Sequence, residues 1–172
     1  AVKVADVIRS GGRIDALAVA TSRGLKKVTA SIFVDATGDG LVAAAAGVPF
    51  ELGDEAGRTM SPSLCVQYSN INLDRMREAE RRGEGAGQLW FRYRDEIPLD
   101  EYHIVGVSEY GSGSGSGNLG HIYGVDATDE QDVTRGYVEG RRVAEIIHNF
   151  YRRRVPGYEY ADLTATAALL GV

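Results

Sequence analysis

The chain has 172 residues, which suits one domain, or one domain with an appendage, and is enough to bury a hydrophobic core. Hydrophobic residues make up 44% and charged residues 25%, which is typical of a globular protein. A net charge of −5 argues against a nucleic-acid or anionic-membrane partner. No apolar run is long enough to predict a membrane span. The single cysteine, Cys65, excludes an internal disulfide and favours a reducing compartment, so we expect a cytoplasmic protein.

The first part of the chain predicts an antiparallel three-stranded meander. Apolar residues partly alternate along three segments, and short glycine-containing turns separate them. The last segment ends in the apolar Ile32, Phe33 and Val34, which suit a buried strand. The strands are predicted at residues 2–9, 14–21 and 26–34.

A glycine turn follows at Asp35-Ala36-Thr37-Gly38-Asp39-Gly40, and alanines at 43–46 predict a helix directly after it. The two glycines allow positive φ or a close backbone approach. A strand, a glycine turn and a helix together aim main-chain N–H groups at a phosphate or an electron-rich ring. An ordinary turn between strand and helix is the alternative.

The middle of the chain predicts a loop over 50–62, a strand over 63–71 and a short charged helix over 73–82 with Asn72 as its N-cap. A further strand is expected at 102–110. Residues 111–117 alternate Gly and Ser, which predicts a flexible coil, either an engineered linker or a natural loop. Gly115 to Gly120 match G-x-G-x-x-G, but no helix is expected to follow, so we reject a dinucleotide site there.

The last third predicts a strand over 118–125 and then the longest helix, which ends near Arg154. Thr128 and Gln131 have the spacing of a capping box at its start. Gly140 in mid-helix suggests a close crossing. Residues 161–170 are expected to return to the sheet. The predicted buried stripe of the helix is Val133, Tyr137, Gly140, Ala144, Ile147 and Tyr151.

Three blocks of sequence resemble a bacterial family of FAD-dependent oxidoreductases with a glutathione-reductase-type flavin fold. They are Phe33–Gly40 with the alanine helix, Gly120–Asp129 with Arg135 and Glu139–Arg142, and Arg153–Gly157 with the apolar end of the chain. The resemblance implies FAD as cofactor, contacted by Asp35, Ala36, Thr37, Gly38, Asp39 and Gly40. It also implies that 1–50 belong to a flavin-binding domain and 51–172 to a substrate-domain-like segment.

The resemblance has one clear departure, since nothing before Asp35 matches the G-x-G-x-x-G turn and later acidic residue that such enzymes carry. We therefore expect an internal fragment of a longer enzyme, with a second chain or a missing segment supplying the rest of the flavin site. The expected fold is α+β with a mixed sheet, a partial FAD/NAD(P)-binding fold. The expected function is flavin-mediated redox of an unidentified small molecule. The alternative is a non-catalytic, truncated or engineered α+β module that binds no flavin.

The candidates for catalysis are His121 and Cys65, each with a structural alternative. His121 could be an acid/base or substrate ligand, or a hydrogen-bonded core histidine. Cys65 could be a redox partner, or a small buried hydrophobe. His103 and His148 have less in their favour, and the histidines and cysteine lack metal-ligand spacing. Asp35 and Asp39 could equally be helix caps.

Overall fold

The computed structural model describes residues 2–101, 104 and 106–171. The chain forms two compact units, Ala1–Leu52 and Gly53–Val172. The expected α+β class is confirmed, because each unit combines helix with an antiparallel sheet. The expected mixed sheet is not observed, since every strand pairing among the described residues is antiparallel.

The first unit contains the predicted meander. Strands β1 (Lys3–Ser10), β2 (Arg13–Thr21) and β3 (Gly24–Val28) pair in sequence order, and a left-handed Gly11 at φ 57° turns the first hairpin. Helix α1 (Leu41–Ala45) packs against β1. The buried apolar side chains of this unit are Val7, Ala16, Val19 and Val42.

The third strand is shorter than predicted. It ends at Val28, and residues 29–34 are irregular. Ile32 is 80% exposed and Val34 is 85% exposed, so the expected buried strand at this point is wrong. A buried strand needs neighbours that take its hydrogen bonds and cover its faces, and no strand among the described residues pairs with this segment.

The second unit is built on a four-stranded sheet in the order β5-β6-β4-β7. The predicted strands over 63–71 and 161–170 are confirmed over shorter spans. The strand expected at 102–110 begins only at Ser108, while Tyr102, His103 and Val105 lie outside the described residues. The strands are β4 (Val66–Ser69), β5 (Ser108–Gly111), β6 (Ser114–Gly117) and β7 (Asp162–Thr166).

The Gly-Ser segment is not a flexible coil, because Gly111 ends β5, residues 112 and 113 form a turn and residues 114–117 form the inner strand β6. Strand β6 pairs with β5 on one side and with β4 on the other. A Cβ on Gly115 would lie 2.9 Å from the Ser108 carbonyl oxygen, and one on Gly117 would lie 2.9 Å from Leu119 Cγ. The glycines therefore permit close packing, which composition alone cannot distinguish from flexibility.

Residues 118–125 are irregular, so the strand predicted there is wrong. Leu119, Ile122 and Val125 are buried, and the Ile122 N–H donates to the Pro62 carbonyl at 2.8 Å. These side chains recur every third residue rather than every second, as a strand requires, and the segment packs them without joining the sheet ladder.

The helices of this unit are α2 (Leu73–Arg81), α3 (Ala86–Arg92) and α4 (Glu130–Arg154), with a 3₁₀ turn at Arg94–Glu96. The Asn72 cap of α2 is confirmed, because its Oδ1 accepts from the Arg75 N–H at 3.0 Å. Helix α3 was not predicted. None of the described helices is long and apolar enough to cross a membrane.

Helix α4 makes the close crossing predicted from Gly140. A Cβ at this position would lie 3.0 Å from both Leu64 Cβ and Ile122 Cδ1. Val133 and Tyr137 of the predicted stripe are only half-buried. The residues that α4 buries are Gly136, Gly140, Val143, Ala144, Ile147, Phe150 and Tyr151.

Asp129, not Thr128, caps α4. The Asp129 Oδ1 accepts from the N–H groups of Gln131 and Asp132, each at 2.9 Å. The Thr128 hydroxyl instead donates to Asp126 Oδ1 at 2.6 Å. A carboxylate also interacts favourably with the positive end of the helix dipole, so the aspartate has a physical advantage over the hydroxyl.

We predict that Asp129→Ala lowers the free energy of unfolding by about 1 kcal/mol, because two N–H groups of α4 lose their acceptor. Urea denaturation followed by far-ultraviolet circular dichroism measures this. Asp129→Asn should retain most of the stability, and Thr128→Ala should cost less than Asp129→Ala. A larger loss for Thr128→Ala would contradict the capping assignment.

Candidate functional site

The glycine turn is built from two left-handed residues directly before α1. Gly38 has φ 93° and Gly40 has φ 65°, and Gly40 is the N-cap residue of the helix without offering a side-chain cap. A Cβ built on either glycine meets nothing within 4 Å. The glycines are therefore required here by backbone conformation, and both leave an open face.

Asp35 closes the inner side of the turn. Its carboxylate accepts from the Thr37 N–H at 3.0 Å, the Thr37 hydroxyl at 2.7 Å and the Ala43 N–H at 2.9 Å. The Thr37 hydroxyl in turn accepts from the Leu41 N–H at 3.0 Å. The hydrogen bond from Ala43, followed by those from Thr37, holds the pKa of Asp35 below its usual 3.8. Of the two candidate caps, Asp35 is the one that caps α1.

The outer side of the turn keeps unpaired main-chain donors. Among the described residues, none accepts a hydrogen bond from the N–H groups of Gly38, Asp39 and Gly40. Ala36, Thr37, Gly38 and Asp39 are exposed. This donor set fits the electron-rich edge of a flavin ring approaching from outside.

Cys65 is exposed on the segment that leads into β4. Its carbonyl oxygen accepts from the Ala167 N–H at 2.7 Å, which ties the backbone to the chain beyond β7. The expectation of a buried, hydrophobic cysteine is therefore wrong. No described side chain hydrogen-bonds to its sulfur.

His121 is paired with a buried carboxylate. Its Nδ1 lies 3.2 Å from Glu101 Oε1 and 3.1 Å from Oε2, and its main-chain N–H also donates to Oε1. The Glu101 residue is 3% exposed, whereas the His121 side chain is 38% exposed. The sequence singled out the histidine but gave no signal for Glu101, which is 20 positions away in an unpredicted segment.

Two packing constraints hold this pair. The indole N–H of the fully buried Trp90 donates to the Glu101 carbonyl oxygen at 3.3 Å. Gly120 has φ 77°, and a Cβ there would contact Val143 and lie 2.9 Å from Ile147 Cδ1. The close approach of Gly120 to α4 thus fixes the backbone from which His121 projects.

The pair faces a cavity of about 390 Å³ in the second unit. Arg135 and Arg142 on its wall are each bound to a neighbouring carboxylate of α4, Asp132 and Glu139 respectively. The residues that line the cavity are Pro98, Leu99, Asp100, Glu101, His121, Ile122, Tyr123, Arg135, Glu139, Arg142 and Val143.

His148 is not among the residues that line this cavity. His148 packs against the Tyr68 ring at a centroid distance of 5.6 Å, and burial followed by the charge of Arg152 lowers its pKa. His103 lies outside the described residues. No group of three or more potential metal ligands occurs in the part of the chain that the structure describes.

The family model described as FAD dependent oxidoreductase matches residues 1–172. The chain belongs to this family. FAD is therefore the cofactor that the family implies. No curated protein and no solved structure matches the chain.

We predict that the Ala43 amide resonance reports the titration of Asp35, with a midpoint below 3.8 because the hydrogen bonds from Ala43 and Thr37 favour the ionised carboxylate. Protonation removes that acceptor, so the stability it adds to the turn is lost as the pH falls through this midpoint. A pH series of amide NMR spectra measures it.

Asp35→Asn should abolish this titration of the Ala43 amide. Asp39→Asn is the matched control, because Asp39 lies in the same turn but makes no hydrogen bond to a described residue. An Ala43 midpoint at or above 3.8, or one that disappears in Asp39→Asn, would contradict the assignment.

Proposed function

We propose that this FAD-dependent oxidoreductase family member contacts the flavin through residues 35–40 and acts on a small molecule bound by its second unit. The observation that carries the proposal is the row of unpaired N–H groups at Gly38, Asp39 and Gly40, in a chain matched to the family over its whole length. When bound, FAD supplies the redox chemistry, and the protein orients the cofactor and tunes it.

The proposed roles divide within the turn. Asp35 and Thr37 hold the bend and satisfy the first N–H groups of α1, as their hydrogen bonds indicate. Ala36, Gly38, Asp39 and Gly40 offer their main chain to the ring. Side chains contribute little to such a contact, which is consistent with glycine and alanine at three of these four positions.

We further propose that 1–50 belong to a flavin-binding domain of the glutathione-reductase type and 51–172 to a substrate-domain-like part of a cytoplasmic bacterial enzyme. The remaining walls of the flavin site would come from another segment or a second chain. Two observations support this. The sequence has no G-x-G-x-x-G turn that opens a helix, and the apolar Ile32 and Val34 are exposed beside the glycine turn.

We predict that Gly38→Ala weakens FAD binding by about tenfold or more, because a side chain strains the left-handed backbone and intrudes on the face offered to the ring. Gly24→Ala is the matched control. Both glycines have φ 93° and open space around them, but Gly24 is the first residue of β3. Flavin fluorescence quenching and the FAD content of the purified protein measure the effect.

Equal FAD affinities for Gly38→Ala and Gly24→Ala would contradict the placement of the flavin at this turn. An absorbance spectrum of the purified protein tests for the cofactor, and bands at about 375 and 450 nm would indicate a bound flavin. A colourless protein that FAD neither tints nor stabilises against heat would instead indicate a non-catalytic module.

A further inference from the structure

We propose that Glu101 and His121 form a proton-transfer pair that serves the cavity of the second unit, and that this cavity binds a neutral, hydroxyl-bearing small molecule. His121 Nε2 is the atom that exchanges the proton, and Glu101 is a positioning residue. The inference does not depend on flavin binding, because every group it uses lies within the second unit.

The carboxylate of Glu101 is buried. A buried carboxylate is costly unless it is paired and hydrogen-bonded. The Glu101 side chain is 4% exposed, and among the described residues its carboxylate is hydrogen-bonded only by the ring and main-chain N–H of His121. The free energy of burying this charge is therefore offset at one residue, which couples the carboxylate to the state of the imidazole.

The contact with Glu101 determines the tautomer of His121. A carboxylate only accepts, so the ring nitrogen facing it carries the proton in the neutral imidazole. Both oxygens of Glu101 lie 3.1–3.2 Å from Nδ1. Nε2 therefore holds the lone pair, and no described residue hydrogen-bonds to it. A histidine oriented by a carboxylate in this way is the arrangement used for general acid–base catalysis.

The position of His121 on the cavity wall gives a ligand access to its Nε2 atom. His121 and the 54% exposed Tyr123 both line the cavity, and their ring centroids are 6.1 Å apart. The cavity volume of about 390 Å³ is in the range that holds a small ligand. A histidine serving only as a structural partner of Glu101 would have no need of this exposed position.

The charges on the wall select the ligand class. Arg135 lies 2.9 Å from Asp132, and Arg142 lies 2.6 Å from Glu139, so both guanidinium groups are already neutralised by carboxylates. Asp100 and Glu101 add further negative charge. An anionic ligand would meet no unpaired cation among the described lining residues, whereas a hydroxyl group can donate to Nε2.

The proton-transfer step is balanced within the pair and the ligand. The O–H bond of a ligand hydroxyl breaks as the Nε2–H bond forms, and its electron pair stays on the oxygen, which becomes an alkoxide. The resulting imidazolium is stabilised by the Glu101 carboxylate. The reverse step returns the proton to the oxygen. No oxidant or other reactant is needed for this exchange.

Acylation of histidines by diethyl pyrocarbonate, mapped by mass spectrometry, tests the pair in the full chain. We expect His121 to react faster than His148, because the His121 side chain is 38% exposed, whereas the Nδ1 atom of His148 is buried. At a pH well above the ordinary imidazole pKa of about 6.5, Glu101→Gln should slow acylation of His121 by about twofold or more, because the carboxylate makes Nε2 the better nucleophile. Glu78→Gln, an exposed Glu on α2, should leave the rate unchanged. An unreactive His121, or an equal rate in Glu101→Gln, would overturn the proposal.

Nitrogen NMR of labelled histidine provides a test that needs no folded Glu101 variant. The wild-type protein should show neutral His121 protonated on Nδ1, and a spectrum showing the proton on Nε2 would overturn the pair. The ligand class is tested by protection of His121 from acylation. Glycerol and glucose should protect and acetate should not, whereas protection by acetate alone, or by none of them, would overturn the proposed ligand. Failure of FAD binding would leave these results unaffected.

Discussion

The close approach of α4 to the chain segment around Ile122 is the contact on which the second unit depends. It is possible only because Gly120 and Gly140 lack a Cβ at the points where the backbone and the helix meet their neighbours. The same contact buries Leu119 and Ile122 and leaves His121 between them, half-exposed and facing Glu101. Packing of apolar residues thus positions the polar pair, as expected when a site is supported by a rigid helix.

The first unit shows the consequence when such packing is absent. Residues 29–34 have a strand-like composition but no strand to pair with among the described residues. A single strand cannot satisfy its own main-chain groups. The segment stays irregular, and its side chains except that of Phe33 are exposed. Phe50 and Leu52 are also exposed, at 68% and 50%. These apolar surfaces support the proposal that further parts of a flavin domain cover this unit.

The features that depend on residues close together in the sequence could be predicted from it. The hairpins, the Asn72 cap and the long helix followed from turn chemistry, capping and periodicity. Features that depend on neighbours distant in sequence could not be predicted this way. The glycines of β6 suggested flexibility because their close neighbours, Ser108 and Leu119, become visible only in the fold. The partnership of Glu101 with His121 depends on the same kind of distant contact, and the Thr128 capping box failed because Asp129 offers a charged acceptor one residue later.

The two aspartates of the glycine turn determine which part of FAD the proposed contact would involve. Asp35 satisfies the Thr37 and Ala43 N–H groups, so the structural needs of α1 are met inside the bend. Asp39 stays exposed and adds negative charge on the outer side. A helix of five residues has too small a dipole to offset that charge for a phosphate. The uncharged but electron-rich edge of a flavin ring could accept from the free N–H groups without this repulsion, so the proposed contact is with the ring rather than with the diphosphate of FAD.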